Sequence, residues 1–315
     1  MSILWTCGVG GLAQRCFLNE LGNKSAPEPV NYSVNYLQSL RRRALPGNCY
    51  PEGKIMTNTA LGTWRRPPLA YVVAELVISP YYSMAAKVPG LQDRLRSAFP
   101  RTIEANELVI DGAKTSAQPL WQLMSVDQKH GVQLGTRSIS LHATSYVQSS
   151  DFLGRWAEVL DAIQGANLGA FVERAGLRYV DLIVPAEGRS PADYLAPALQ
   201  GITPEGGRAN GSMWASAFQF DGSLVNLRAA APTPRGLLLP PDFNALPLNK
   251  PVVMLDAEKR LRDEATIGFV DTDCLKDIGK VFDAGELLGA YTEMQKLTSK
   301  TFKSALSDLA KREWM

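Results

Sequence analysis

Residues Leu69–Ser79 read LAYVVAELVIS, a β-branched, nearly continuous apolar run whose one charge is Glu75. A short apolar run without polar alternation predicts a strand covered on both faces. A helix is expected next. Pro89 suits its first turn, and Val88, Leu91, Leu95, Ala98 and Phe99 recur at helical spacing before Pro100 stops it. Glu107–Asp111 is a candidate short strand. Val132–Leu134 and Ser138–Val147 read as a strand pair around Gly135-Thr136-Arg137. In the second of these, Ile139, Leu141 and Ala143 point one way, and Ser140, His142, Thr144 and Tyr146 the other. Ser149 or Ser150 is placed to cap the next helix, whose face is Phe152, Leu153, Trp156, Val159, Leu160 and Ile163, with Gly165 at its end. Phe171–Val184 is a long strand.

From Leu69 to Val184 the order is therefore β-α-β-(β)-β-α-β, the ferredoxin-like split βαβ arrangement. Two helices on one face of an antiparallel sheet bury the apolar sides of both layers. A second α+β unit follows. Ser190-Pro191-Ala192-Asp193 reads as a capped helix start, and Gly206, Gly207 and Gly211 mark a loop. Trp214–Phe220 and Ser223–Ala229 flank Asp221-Gly222, a strong hairpin signal. Pro232, Pro234, Pro240, Pro241, Pro247 and Pro251 make the next stretch an extended connection. Val252–Leu255 is expected as a short buried strand. Asp283-Ala284-Gly285-Glu286 is a capping box that opens a long C-terminal helix to Ala310, with Leu287, Leu288, Tyr291, Met294, Phe302, Leu306 and Leu309 in near-helical phase. Its first half is expected on the second unit's sheet. Its second half is expected to bridge back or to form an interface. The fold class predicted is α+β: two ferredoxin-like units, antiparallel sheets with helices on one face, and a long closing helix.

The first 55 residues differ. They hold Cys7, Cys16 and Cys49, three of the four cysteines, and carry +3 of the chain's net +2, which leaves −1 on the rest. No sustained pattern runs through them, and Arg15 and Gln14 interrupt the apolar stretch that a secretory signal would need. The domain reading is 1–55 as a loosely structured arm, with Met56 as an alternative start of translation, 56–186 as the first unit and 187–315 as the second. Reduced thiols and a cytoplasmic location are the expectation. Arg41-Arg42-Arg43, without aromatic interleaving, reads as a solvated run. Apolar residues at 45% and charged ones at 20% of 315 residues describe a globular chain. No apolar run nears the ~20 residues a membrane helix needs.

Four stretches carry a resemblance: Pro68–Leu76 as P-L-x-x-V-x-x-E-L, Val132–Gly135, Ser140–Tyr146, and Arg174–Asp181 with Arg-x-Gly-Leu-Arg-Tyr. In this order the chain resembles a sporadically distributed, uncharacterised bacterial and archaeal protein family over about Thr59 to Ala310. Asp181 stands where that family more often has Asn. The resemblance implies no activity. A sporadic distribution fits an accessory or defence role.

The sequence excludes several chemistries. Two histidines and four cysteines, without CxxC or HExxH, fit no zinc site. There is no GxxxxGK[ST] loop and no GxSxG elbow. Asp271-Thr272-Asp273 with Asp277 starts like a calcium loop, but Leu275 and Lys276 stand where a ligand and a glycine are required. No metal and no cofactor are expected. The candidate binding residues are Arg174, Arg178, Tyr179, His142 and Tyr146. Arg174 and Arg178 share one side of a strand, with Gly176 between them, and suit an anionic or carboxylate-bearing partner; the alternative pairs each with an acidic neighbour such as Glu173 or Asp181 on adjoining strands. His142 with Tyr146 suits metal-independent RNA cleavage, or simply a hydrogen-bonded core position. No catalytic set is identifiable. The leading expectation is a cytoplasmic, non-enzymatic binding protein that acts through a protein partner or self-association. The alternative is an RNA-binding or RNA-cleaving protein that stacks bases on Tyr146 and Tyr179. The near-neutral charge disfavours RNA, and nothing suggests a membrane.

Overall fold

A computed structural model describes residues 4–9, 12–17, 66–111, 114–202, 204–207, 211–233, 237–240, 242–243, 245–263 and 266–314. Of residues 4–9, 12–17, 107–111 and 114–116 it describes the backbone alone. Arg41–Arg43, Cys49 and Met56 lie outside the described residues. The strands are β1 Leu4–Val9, β2 Leu12–Phe17, β3 Leu69–Ile78, β4 Arg101–Asp111, β5 Lys114–Met124, β6 His130–Leu134, β7 Ser138–Ala143, β8 Phe171–Ile183, β9 Ser212–Phe220, β10 Ser223–Ala231 and β11 Gly268–Val281. The helices are α1 Met84–Leu95, α2 Ser149–Gly165, α3 Val252–Arg262, α4 Ala284–Ala305 and α5 Asp308–Trp314.

The fold is α+β around one sheet in the order β2-β1-β4-β5-β6-β7-β3-β8-β11-β10-β9. From β4 to β9 every pairing is antiparallel; β1 joins β4 in parallel. LAYVVAELVI is β3, one of the central strands, paired with β7 and β8. β8 and β11 pair along most of their length, so strands from before and after residue 186 share the sheet. The second stretch contributes three strands, β9, β10 and β11, where a ferredoxin-like unit would contribute four.

Alternation along the strands sorts the two faces. On one face, Val72, Ala74 and Leu76 of β3, Ile139 and Leu141 of β7 and Ala175 and Leu177 of β8 bury against α1, α2 and α4. Trp156 of α2 and Tyr291 of α4, both fully buried, meet edge to face at 5.3 Å. Each such side chain contributes about 1.5–3 kcal/mol through burial. Further along this face, Ile183, Leu227, Ala229 and Val270 pack against Tyr194, Leu195, Ala305, Leu306, Ala310 and Trp314.

Several expectations need correction. Helices do not sit on one face alone. The opposite face is covered by α3, through Met254 and Ala257 on Ala70, Leu182, Ala230 and Phe269, and by the proline-rich strap before it, whose Phe243 packs on Tyr71 and Val180. Val252–Leu255 is not a strand but the first turn of α3; Met254 and Ala257 are buried while Val252 and Leu255 are exposed, a helical and not an alternating pattern. α1 begins at Met84, so Pro89 lies inside the helix; the buried Met84 anchors the earlier start. The α2 N-cap is Gln148, with no side-chain cap bond. Asp283 does cap α4, accepting from the Glu286 N–H at 2.8 Å. The closing helix is broken at Leu306, where the backbone turns extended before α5. Leu287, Tyr291 and Met294 pack with β3, β8 and α2, not on the second unit's strands alone. Among the described residues, no helix is long and apolar enough to cross a membrane.

Candidate functional site

The strap-covered face carries a row of polar side chains across its central strands. Val73 of β3 lies opposite His142 of β7 and Arg178 of β8. Arg178 lies opposite Asp273 of β11, and Asp271 opposite Arg228 of β10. The strap lays Asp242 over this row.

Arg178 grips Asp271 with both arms of its guanidinium, Nε to Oδ1 at 2.8 Å and Nη2 to Oδ2 at 2.9 Å. Arg228 donates from Nε to the same Oδ2 at 2.8 Å. Both arginines reach Asp242 Oδ1, Arg228 at 2.9 Å and Arg178 at 3.4 Å. The Asp271 side chain is 0% exposed. Phe243 lies beneath Arg178, its ring centre 4.7 Å from the guanidinium carbon. Burial opposes the Arg178 charge, but Asp271 and then Asp242 outweigh it and hold the guanidinium protonated. Burial likewise opposes ionisation of Asp242, while Arg178 and Arg228 bring its carboxyl below the usual range. Asp273 behaves differently: desolvation pushes it up to about 6, aided by Asp271 and opposed by Arg178.

Beside this network runs a second one. The Tyr71 hydroxyl accepts from the Leu246 N–H at 2.9 Å and lies 3.2 Å from His142 Nδ1. Burial pushes the Tyr71 hydroxyl far up, against the pull of the Leu246 N–H, so it keeps its proton. In the tautomer where Tyr71 donates to Nδ1, His142 Nε2 carries the ring proton and donates to Ser140 Oγ, 2.8 Å away. That polarity is the reverse of what nucleophile activation needs, because the base must accept from the serine. Both residues are 3% exposed.

The structure therefore brings Arg178 and His142 together on one face and places Tyr146 and Tyr179 on the other. Tyr146 follows the end of β7 at Ala143, so the strand alternation no longer applies to it. Its ring meets Tyr179 at 5.9 Å and Phe152 at 6.2 Å. Burial pushes Tyr146 up to about 12, and Tyr179 well above its ordinary value. Arg174 lies further along β8, opposite Val77 and Asp277, outside the Asp271 network. The acids that pair with Arg178 are Asp271 and Asp242, neither of which the sequence reading paired with it. Asp271 and Asp273 were legible only as a loop. The signal missed was the apolar Phe269, Val270 and Cys274 around them, which mark a buried strand. Among the described residues, no three His, Cys, Asp or Glu side chains stand where they could hold a metal ion.

A second surface lies at the end of the sheet. β9 reads SMWASAFQF, nine residues without a charge or a proline. It pairs with β10 on one side and ends the sheet order on the other. Met213 is 67% and Phe218 37% exposed.

No family model matches the chain, and no curated protein matches it significantly.

Proposed function

We propose that this chain is a binding protein that works through a protein partner, and that the partner docks by adding a β-strand to the edge of β9 that no described strand pairs. The observation that carries the proposal is the chemistry of that edge. Edge strands in natural proteins are guarded by charges, proline, bulges or short length. β9 has nine residues, no charge, no proline and a regular register with β10. Its outer backbone groups and its exposed Met213 and Phe218 offer what strand addition uses: main-chain hydrogen bonds for affinity and alternate side chains for specificity. A non-enzymatic reading is supported by the burial of Ser140 and His142, each 3% exposed and so closed to a substrate.

The proposal includes a cytoplasmic location, with which the free thiol of buried Cys274 is compatible. It also includes kinship with the sporadic family, since two of its motifs fall on the paired central strands β3 and β8. For the fold, β3, α1, β6, β7, α2 and β8 form a ferredoxin-like unit into which the β4–β5 hairpin is inserted. The order β6-β7-β3-β8 supports this, being the 2-3-1-4 order of that arrangement. RNA binding has less support. Tyr146 and Tyr179 pack into the main apolar cluster, and His142 is engaged by Tyr71 and Ser140.

The test is photo-crosslinking in the native host. A tagged full-length chain carries a photoreactive residue in place of the exposed Ala217, and a differently tagged wild-type copy is expressed beside it. The expected result is one stoichiometric protein crosslinked at β9, absent when Ser216→Lys is added. If neither another protein nor the second copy is crosslinked, the reading fails.

A further inference from the structure

We infer that the strand added at β9 belongs to a second copy of this chain, paired antiparallel about a two-fold axis through Ser216; this rests on the reading of β9 as a docking edge. Hairpin geometry fixes which backbone groups are free. Phe220 and Ser223 close the two-residue turn Asp221-Gly222, whose Gly222 has φ +64°. A turn of this length ends in a hydrogen-bonded pair, and such pairs alternate along an antiparallel ladder. Phe220, Phe218, Ser216 and Trp214 therefore bond to β10. Met213, Ala215, Ala217 and Gln219 turn their N–H and C=O groups outward.

An incoming antiparallel strand must match outward residues with outward residues. Pairing β9 with itself about Ser216 does so over the whole strand: Ala215 meets Ala217 of the second copy, and Met213 meets Gln219. The same register places Trp214 opposite Phe218 of the second copy, twice, at non-hydrogen-bonded positions. There side chains come closest, and aromatic pairs add to the pairing. Centring one residue either way also satisfies the backbone but shortens the overlap from nine residues to seven; centring on Ala215 loses both aromatic pairs, and centring on Ala217 exchanges them for Trp214 opposite Phe220. Charge favours the same occupant. In a two-fold pair every residue of one strand faces its mirror position in the other, so like charges would meet; SMWASAFQF contains none. The interface is isologous and closes at a dimer, and it joins the sheets of two chains into one.

Three measurements on the full-length chain test this. Sedimentation of the wild type across a concentration series is expected to show a monomer–dimer equilibrium. Ser216→Lys is expected to raise its dissociation constant roughly tenfold or more, because two ammonium groups then face each other; its melting temperature is read as the folding control. Under oxidising conditions Ser216→Cys is expected to form an intermolecular disulfide, since Cα atoms in a non-hydrogen-bonded pair lie about 4.5 Å apart. Ala217→Cys, whose symmetry mates lie roughly 7 Å apart or more, is expected not to. The wild type, with its native cysteines, is the background for both.

A wild type that stays monomeric overturns the inference, while a different protein crosslinked at β9 would still support the partner reading. A dimer that survives Ser216→Lys, with no disulfide from Ser216→Cys, overturns it by placing the interface elsewhere. A disulfide from Ala217→Cys in place of Ser216→Cys overturns the register. If Ser216→Lys unfolds, the two thiol variants decide.

Discussion

Asp271 is the most constrained residue on the strap-covered face. It has no exposed side-chain surface, and two guanidiniums pair with it. Removing one partner of a buried pair leaves the other charge stranded, which costs about 3–5 kcal/mol. Asp271→Ala is therefore expected to lose that much in urea unfolding. Asp242, 30% exposed and bonded to the same arginines, is expected to lose only about 1 kcal/mol on Asp242→Ala, because solvent screens it. Asp273 supplies a pH signature. Its folded-state value of about 6 lies above the ordinary 3.8, so the folded chain holds a proton that the unfolded chain releases. Its contribution is therefore present at low pH and is lost as pH rises through about 6. Wild-type stability should fall relative to Asp273→Asn by up to about 1.4 kcal/mol per pH unit between roughly pH 4 and 6, and the difference should then level off. A constant difference across that window would mean Asp273 is ionised throughout.

At the scale of elements, the strap links the sequence to the site. Its prolines deny it regular structure, and side chains tie it down instead: Asp242 to two arginines, the Leu246 N–H to Tyr71, and the Asn249 carbonyl to the Thr144 hydroxyl at 2.6 Å. It lies close on β6, where a Cβ on Gly131 would meet Leu246 Cδ1 at 2.8 Å. Phe243→Ala is expected to cost about 3 kcal/mol and to speed proteolysis within residues 237–250; unchanged cleavage would show that the polar ties alone hold the strap. The elements legible in the sequence were those with an unbroken period: β3, α2, β8, the β9–β10 hairpin and the Asp283 cap. β5 was missed because Pro119 and its polar residues broke the pattern. α3 was misread because four apolar residues in a row fit a strand as well as a helical turn. β11 was missed because Asp271 and Asp273 look like ligands until Arg178 and Arg228 arrive from β8 and β10. Such pairings link residues far apart in the chain, and no local spacing encodes them. The β9–β10 hairpin was legible, but that β9 ends the sheet was not, because strand order is a property of the whole sheet.

At the scale of the molecule, one sheet joins the elements, and both of its ends and both of its faces have to be accounted for. α4 and α5 extend the cover of the helical face: Trp314 stacks on Tyr194 at 5.3 Å, and Ala310 is fully buried. Deleting residues 307–315 is expected to cost about 3 kcal/mol and roughly 6–12 °C in melting temperature; an unchanged melting temperature would make α5 a dispensable cover. At the β9 end no described element covers the sheet, and on the proposed reading another strand does so in the working assembly. Hydrogen exchange over residues 212–220, measured on the assembly isolated from its native host and on the Ser216→Lys chain, reads this edge amide by amide. The outward amides of Met213, Ala215, Ala217 and Gln219 are expected to be protected in the assembly and to exchange freely in the variant; equally fast exchange in both would contradict strand addition at β9.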